Sequence, residues 1–492
     1  MNQIGFKNFR KFKELAPLNL GPITMFVGEN NAGKSTVVKA LLTVLDFIQT
    51  RVSSLENDSW LNINYYFNKS YYTHLGTFDR SRYNKAEENE PITFTFLSDN
   101  RRYEIEVEKS DNESDVYGRV ARIKVTLLPF NIDVTFSLKS DRSINIVFHA
   151  KPYPGFVSDN SAFPEAPKLI KKYFSGLTKD IEIETTIISE LKFASEYVID
   201  GLLLSFQERI KATLNNLSSK TLSKSEDGIF GLSKDVEDFL IKKKAIFSSL
   251  YFKSDRQRQM NVEYIYAHSV TQTILFSSKD TNDYHVKTVH EFANYSIGWD
   301  NPIRDFIQRG MDMFNIGFDF KIESVGGEAH LVKIINRDGS EVNLADKGMG
   351  SIQLMILLFR IATKMAEAGV TYGRKEVNSL LIIEEPEQNL HPQLQSKLAD
   401  FFYKLNKDYG FRFIIETHSE YLIRKSQVIV GSESRNNDVF QNPFKVYYFT
   451  PDGEPYNMPY AASGRFEEQF GPGFFDEATR WNREILRNEN AR

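Results

Sequence analysis

Apolar and polar positions along this chain follow two periods, and the change from one to the other organises it. Near the amino terminus Gln3 to Phe9 alternates as a first strand would, and Ile23-Thr-Met-Phe-Val27 forms an apolar strand. Val37, Val38, Ala40, Leu41, Leu42 and Leu45 then fall at helical spacing. Between Ile92 and Phe148 the period is two, in segments at 93–96, 103–107, 123–127, 134–136 and 144–147 separated by Ser, Asp and Asn turns. This predicts an antiparallel meander with one wet face. Pro, Gly, Ser and Asp cluster at 152–167 and mark a boundary. From Ala166 to about Tyr251 apolar residues recur three and four apart (Ile188, Leu191, Phe193, Tyr197, Val198, Leu202), which predicts helices.

A strand pattern returns at Val262, with helices around 290–295 and 303–314 and a hairpin-like pair at 318–322 and 331–335. The remainder reads as α/β, with a helix at 352–366 and buried strands at 380–383 and 413–415. Four segments follow. Residues 1–150 and 261–440 read as the two parts of an α/β head, the first with an antiparallel β subdomain. Residues 151–260 form an inserted helical lobe, and 441–492 a short extension with one more strand and a helix.

Composition narrows the chemistry. With no cysteine, disulfides, zinc-thiolate sites and cysteine nucleophiles are excluded, which fits a reducing cytosol. The first residues lack a secretory layout and no run of about eighteen apolar residues is evident, so a cytoplasmic protein without a membrane span is expected. A net charge of −4 argues against nucleic-acid binding by the whole surface. Lys242, Lys243, Lys244, Lys253, Arg256 and Arg258 form a basic flank, either a solvated helix face or a nucleic-acid or partner contact.

The strand at 23–27 and the helix after it frame Gly28-Glu-Asn30-Asn31-Ala-Gly33-Lys34-Ser35-Thr36, a P-loop. Gly28 and Gly33 let the backbone curl so that successive N–H groups face phosphate oxygens, and the helix start adds its positive end. Lys34 is expected at the β- and γ-phosphates and Ser35 on Mg²⁺. Arg10 or Lys11 either touches the α-phosphate or base, or is a solvated edge charge.

A P-loop is completed by acids. Ser379-Leu-Leu-Ile-Ile-Glu384-Glu385-Pro386 brings two carboxylates out of an apolar strand, with Glu384 assigned to Mg²⁺ and Glu385 as general base for water. Phe413-Ile-Ile-Glu-Thr-His418 is a second such strand, and His418 is a candidate γ-phosphate sensor. Gly348, Gly350 and Ser351 open an apolar helix as an anion cradle, or as a plain capped helix with Asp or Ser at the N-cap.

Taken together these motifs resemble the ATP-binding-cassette class of ATPases. More closely, the chain is similar to AAA-type proteins grouped with the overcoming-lysogenization-defect nucleases and the structural-maintenance-of-chromosomes ATPases. The matching residues are Asn8-Phe-Arg10, the P-loop, Asp346-x-Gly-x-Gly-x-x-Gln353, Glu384 to Pro392 and Glu416 to Ser419. His74-Leu-Gly-Thr-Phe78 and the tail Gly473-Phe-Phe-Asp476 resemble one bacterial branch typical of anti-phage defence. The resemblance implies an ATPase head using ATP and Mg²⁺ that forms a homodimer or higher oligomer. In it the Gly348–Ser351 segment of one copy caps the nucleotide of the other, and Asn389-Leu-His391 lies near the interface.

The signature is not the transporter-like Leu-Ser-Gly-Gly-Gln, and no Q-loop glutamine is assigned. The tail is too short for the relatives' nuclease domain, so the resemblance implies control of a separately encoded nuclease or toxin. The alternative is a DNA-repair or chromosome-maintenance ATPase, disfavoured because long heptads and a Cys-x-x-Cys hook are absent.

Overall fold

The computed structural model describes residues 1–54, 64–67, 75–110 and 117–150 apart from short turns, 181–187, 261–265, 276–277, 284–295, and 301–490 apart from a few loop positions. In chain order the first elements are β1 (Gln3–Phe9), β2 (Phe12–Asn19), β3 (Ile23–Gly28), α1 (Lys34–Ser54), β4 (Asn64–Tyr66) and α2 (Phe78–Ser81). The meander follows as β5 (Ile92–Ser98), β6 (Arg101–Lys109), β7 (Tyr117–Leu127), β8 (Ile132–Leu138), β9 (Ile144–Ala150) and β10 (Ile181–Ile187). Two compact units result, Met1–Asn19 with Ser35–Gln259, and Leu20–Lys34 with Met260–Arg492. The P-loop strand thus clusters with the carboxy-terminal half.

The first unit is a nine-stranded sheet in the order β10-β9-β8-β7-β6-β5-β1-β2, with β4 on β7, and every pairing is antiparallel. Alternation decides its faces. In β6, Tyr103, Ile105 and Val107 are buried, while the intervening Glu104 and Glu106 pair with Arg122 on β7 and Glu108 with Arg119. Aromatic rings fill the dry side: Tyr65 stacks on Phe94 at 5.1 Å and on Phe47 of α1 at 5.3 Å.

One part of the stretch read as helical is corrected. Ile181–Ile187 is a strand, antiparallel to β9 throughout. Its Ile-Glu-Ile-Glu-Thr-Thr-Ile run alternates and is rich in β-branched residues, but the three-and-four spacing beginning at Ile188 masks it. The rest of 166–251 and the basic flank at 242–258 lie outside the described residues, as does His74.

The second unit adds β11 (Asn261–Ile265), β12 (Phe276–Ser277), α3 (Tyr284–Ala293), α4 (Pro302–Met313), β13 (Asp319–Val325), β14 (Ala329–Ile335), β15 (Glu341–Asn343) and α5 (Met349–Glu367). After these come β16 (Ser379–Glu384), α6 (Pro392–Tyr409), β17 (Arg412–Glu416), α7 (Glu420–Asn436), β18 (Phe444–Phe449), β19 (Tyr456–Asn457) and α8 (Glu477–Asn490). Its main sheet has the order β11-β16-β17-β3-β18-β19. The pairings from β11 to β18 are parallel, and β19 adds an antiparallel edge. Parallel strands need crossovers, and α6 and α7 provide them between β16, β17 and β18. Being covered on both faces, β3 is buried at every position, and β16 and β17 at all but an end residue.

A second sheet pairs β13 with β14, which also carries β12 and β15. Arg304 on α4 ties to it, donating to both oxygens of Asp319 (2.8 and 2.9 Å) and to the Phe320 carbonyl (2.9 Å). Helix α5 is long and apolar enough to cross a membrane by composition, but 72% of its most apolar 18-residue stretch is buried inside the protein. Its Phe359 stacks on Phe292 at 4.6 Å, so it is a core helix.

Candidate functional site

The parallel strands of the second unit end along one line. Glu384 is opposite Glu416, Glu416 opposite Phe26, and Phe449 opposite Gly28. Ligands of open α/β sheets sit at this carboxyl edge, where loops and helix starts converge.

The P-loop leaves the edge from β3. Gly28 has φ +132°, and a Cβ there would lie 2.1 Å from the Phe449 carbonyl oxygen, so only glycine lets β18 approach. Glu29 N–H donates to that same oxygen (3.3 Å), and Ala32 N–H to Glu29 O (3.3 Å). Asn31 is left-handed at φ 58°, Gly33 has φ 107°, and Asn30 and Asn31 are exposed. Lys34 is 3% exposed and donates from Nζ to Gly28 O (3.1 Å) and Glu29 O (2.8 Å). Burial lowers its pKa, and the carboxylates of Glu416, Glu385, Glu29 and Glu387 act in the opposite direction. The ammonium thus lies curled over the loop's carbonyls with acids around it.

Ser35, Thr36 and Arg10 belong to the first unit. Ser35 is exposed and Thr36 buried. Arg10 is half-buried at φ 52°, in the turn between β1 and β2, with its N–H donating to Ser81 O (2.7 Å). Burial lowers the pKa of its guanidinium, and the charge of Arg80 adds to that.

Glu384 ends β16 half-buried. Glu385 turns sharply at φ 44°, an uncommon conformation for a non-glycine residue, with its N–H donating 2.7 Å to Glu416 O. Its Oε2 accepts from Gln388 Nε2 (2.6 Å), and its Oε1 lies 3.9 Å from His418 Nε2. Burial lowers the pKa of His418, Lys34 adds to this and Glu385 opposes it, so the ring is neutral at pH 7. Lys34, Glu385 and His418, read separately from three stretches of sequence, are brought together here.

Gly348, Gly350 and Ser351 are placed otherwise. The N-cap of α5 is Gly348, with no side-chain bond. Neither Asp346 nor Ser351 caps it, because Asp346 is taken up in the preceding 3-10 turn, Leu344–Asp346, and Ser351 N–H donates to Gly348 O (2.9 Å). A Cβ on Gly350 would lie 2.6 Å from Asn389 O, and Asn389 Nδ2 donates to Gln353 Oε1 (3.3 Å). The signature-like segment and 389–391 therefore share one surface.

Sequence reasoning missed Glu387. It is 9% exposed and its Oε1 accepts from His418 N–H at 2.6 Å. The available signal was a third acid directly after the proline.

These residues fit a magnesium nucleotide. The glycine-shaped loop supplies the cradle, and the described residues hold no cluster of three or more His, Asp or Glu able to bind a metal by itself. Mg²⁺ held through phosphates and water needs only one or two carboxylates, and Glu384 is suitably placed at the strand end.

Comparison with protein families matches residues 1–423 to the AAA ATPase domain. The chain belongs to that family. As an AAA ATPase domain protein its coarse activity is ATP binding and hydrolysis. No curated protein matches it.

Among solved structures, the SMC head domain from Thermotoga maritima matches over 94% of this chain and 98% of its own, at 10% identity and a TM-score of 0.32. The Pyrococcus furiosus Smc head with an extended coiled coil, bound to the C-terminal domain of ScpA, covers 99% of each chain at 11% identity and a TM-score of 0.34. An SmcHead bound to the C-winged helix domain of ScpA covers 93% of this chain and 96% of its own, at 10% identity and a TM-score of 0.36. At such scores the likeness carries no argument, and the α/β fold of this AAA ATPase rests on its own strand order.

Proposed function

We propose that the chain hydrolyses ATP at the carboxyl edge of the parallel sheet, with Glu385 as general base and His418 as the group that orients water. Lys34 and the N–H groups of 28–34 hold the phosphates. Glu384 would hold Mg²⁺, the role the motif also expects of Ser35, and the ion would supply positive charge to the phosphates. The supporting observation is the convergence of Glu385 Oε1 and His418 Nε2 at 3.9 Å, within the field of Lys34.

A strained base held by Gln388 and by Glu416 O has little freedom left to lose, which is what proton abstraction from a positioned water requires. The exposed, uncapped start of α5, with Met349 44% exposed, supports a second copy docking its phosphates there, so the ATPase acts as a dimer. The reading extends to control of a separately encoded nuclease or toxin in anti-phage defence, on the resemblance of the motif set and of the Gly473–Asp476 box.

The test is Glu385→Gln. It is expected to bind ATP as the parent does, to release no phosphate, and to accumulate as a dimer or larger assembly by light scattering. Equal turnover in this variant refutes the assignment of the base.

A further inference from the structure

His418 follows the end of β17. Two side chains from the segment after Glu385 hold its backbone N–H and the hydroxyl of the next residue. Glu387 is buried, and its Oε1 takes the His418 N–H at 2.6 Å, so the backbone that carries the imidazole is gripped directly. On the other side, Gln395 in the first turn of α6 bridges two loops. Its Nε2 donates to Leu390 O (3.0 Å) and its Oε1 accepts from Ser419 Oγ (2.6 Å). The same Ser419 hydroxyl caps α7 by accepting from Leu422 N–H (3.1 Å).

The dipeptide His418-Ser419 is therefore held at both residues, by groups eight positions apart on one loop-and-helix segment. That segment also carries Asn389, bonded to Gln353 of the signature-like helix. A buried carboxylate costs free energy unless its hydrogen bonds are made, and Glu387 leaves its Oε2 without a partner.

We propose that Glu387 and Gln395 are positioning residues for hydrolysis, a two-point clamp that sets His418 against Glu385. Neither touches nucleotide; both act through the imidazole. The inference rests on the assignment of Glu385 and His418 above. It adds a route by which a contact on the surface of Gly350, Gln353 and Asn389 reaches the water-orienting group.

The experiment measures kcat and KM for ATP, with equilibrium ATP binding as a check on folding. His418→Ala and Glu385→Gln serve as controls: if both turn over normally, the hydrolytic assignment itself fails, whatever Glu387 does. Given that they are impaired, Glu387→Ala is expected to lower kcat by about 10- to 100-fold, the scale of a roughly 1 Å misplacement, with KM and ATP affinity unchanged. Glu387→Gln, which keeps an oxygen for the His418 N–H, is expected to restore kcat to within a few-fold of the parent.

In a His418→Ala background, Glu387→Ala and Gln395→Ala are expected to cost nothing more, since they act through the missing ring. Losses that multiply in that background, or a Glu387→Gln variant as poor as Ala, overturn the clamp. Should Glu387→Ala fail to fold, Glu387→Asp, which draws the carboxylate back by one methylene, is read by the same criteria.

Discussion

Replacing Gly28 by alanine tests whether the P-loop is shaped by its neighbour strand. The new Cβ would lie 2.1 Å from Phe449 O, 2.8 Å from Phe449 N and 2.9 Å from Phe449 C, all backbone atoms of a parallel strand inside the sheet. No side-chain rotation relieves such an overlap, so either β18 or the loop must move. The φ of +132° adds about 1–2 kcal/mol for an L residue, and overpacking a fixed interior adds about 1–3 kcal/mol. The sum is about 2–5 kcal/mol.

Moving the loop also misaligns N–H groups that face phosphate, and one lost charge-assisted contact, at about 1.5–3 kcal/mol, weakens ATP by about 10- to 150-fold. Gly410→Ala is the control, because Gly410 shares the left-handed φ (+71°) and has nothing within 4 Å. It should cost about 1–2 kcal/mol and leave ATP binding alone. Urea midpoints and calorimetric ATP titration of the two variants read both effects. A Gly28→Ala protein with the same midpoint and affinity as Gly410→Ala would refute the claim that Phe449 shapes the loop.

Lys34→Ala removes the buried cation that neighbours four carboxylates, and ATP affinity measured with a fluorescent analogue should fall at least tenfold; an unchanged affinity removes Lys34 from the phosphate site. Arg304→Ala strands Asp319, 5% exposed, without its partner, and should lower stability by about 3–5 kcal/mol in denaturant titration. The double replacement Arg304→Met with Asp319→Leu should recover most of that loss, and a double variant as unstable as the single one counts against the ion-pair account.

What was legible in the sequence was local. The P-loop, the two acids after Ile383 and the His after Ile414 each join an apolar strand to a polar end, a pattern that needs no knowledge of distant partners. The meander was legible for the same reason: Tyr103, Ile105 and Val107 alternate with charged residues whose ion pairs lie on the next strand.

What was hidden depends on residues far apart. Nothing near Glu387 indicates burial, which is imposed by Thr417 and His418 thirty or so residues on. Charged residues after a proline read as solvated until the neighbouring strand end is placed beside them. Ile181–Ile187 was missed because strong helical spacing begins at the next residue. The alternative of an Asp or Ser N-cap on α5 is not met, because Asp346 lies in the 3-10 turn before it and Gly348 takes the cap, a conformational choice that composition does not reveal.

The conflicts between local preference and structure gather where the chemistry is placed. Among the described residues of the second unit, four non-glycine residues have positive φ, and three of them, Asn31, Glu385 and Asn389, are in loops at the carboxyl ends of strands, while Asn315 follows α4. Asparagine tolerates that conformation through its short polar side chain, whereas glutamate has no such help. A glycine at 385 would relieve the strain, yet it would remove the carboxylate. The strained turn persists because it is over-determined: Glu385 N–H is tied to Glu416 O, its carboxylate to Gln388, and the next loop to Gln353 through Asn389. Those bonds reach β17, the loop's own Gln388 and α5, so a shift in β17 or α5 changes where the carboxylate sits. Glu385 is therefore positioned less by its own strand than by β17 and the start of α5.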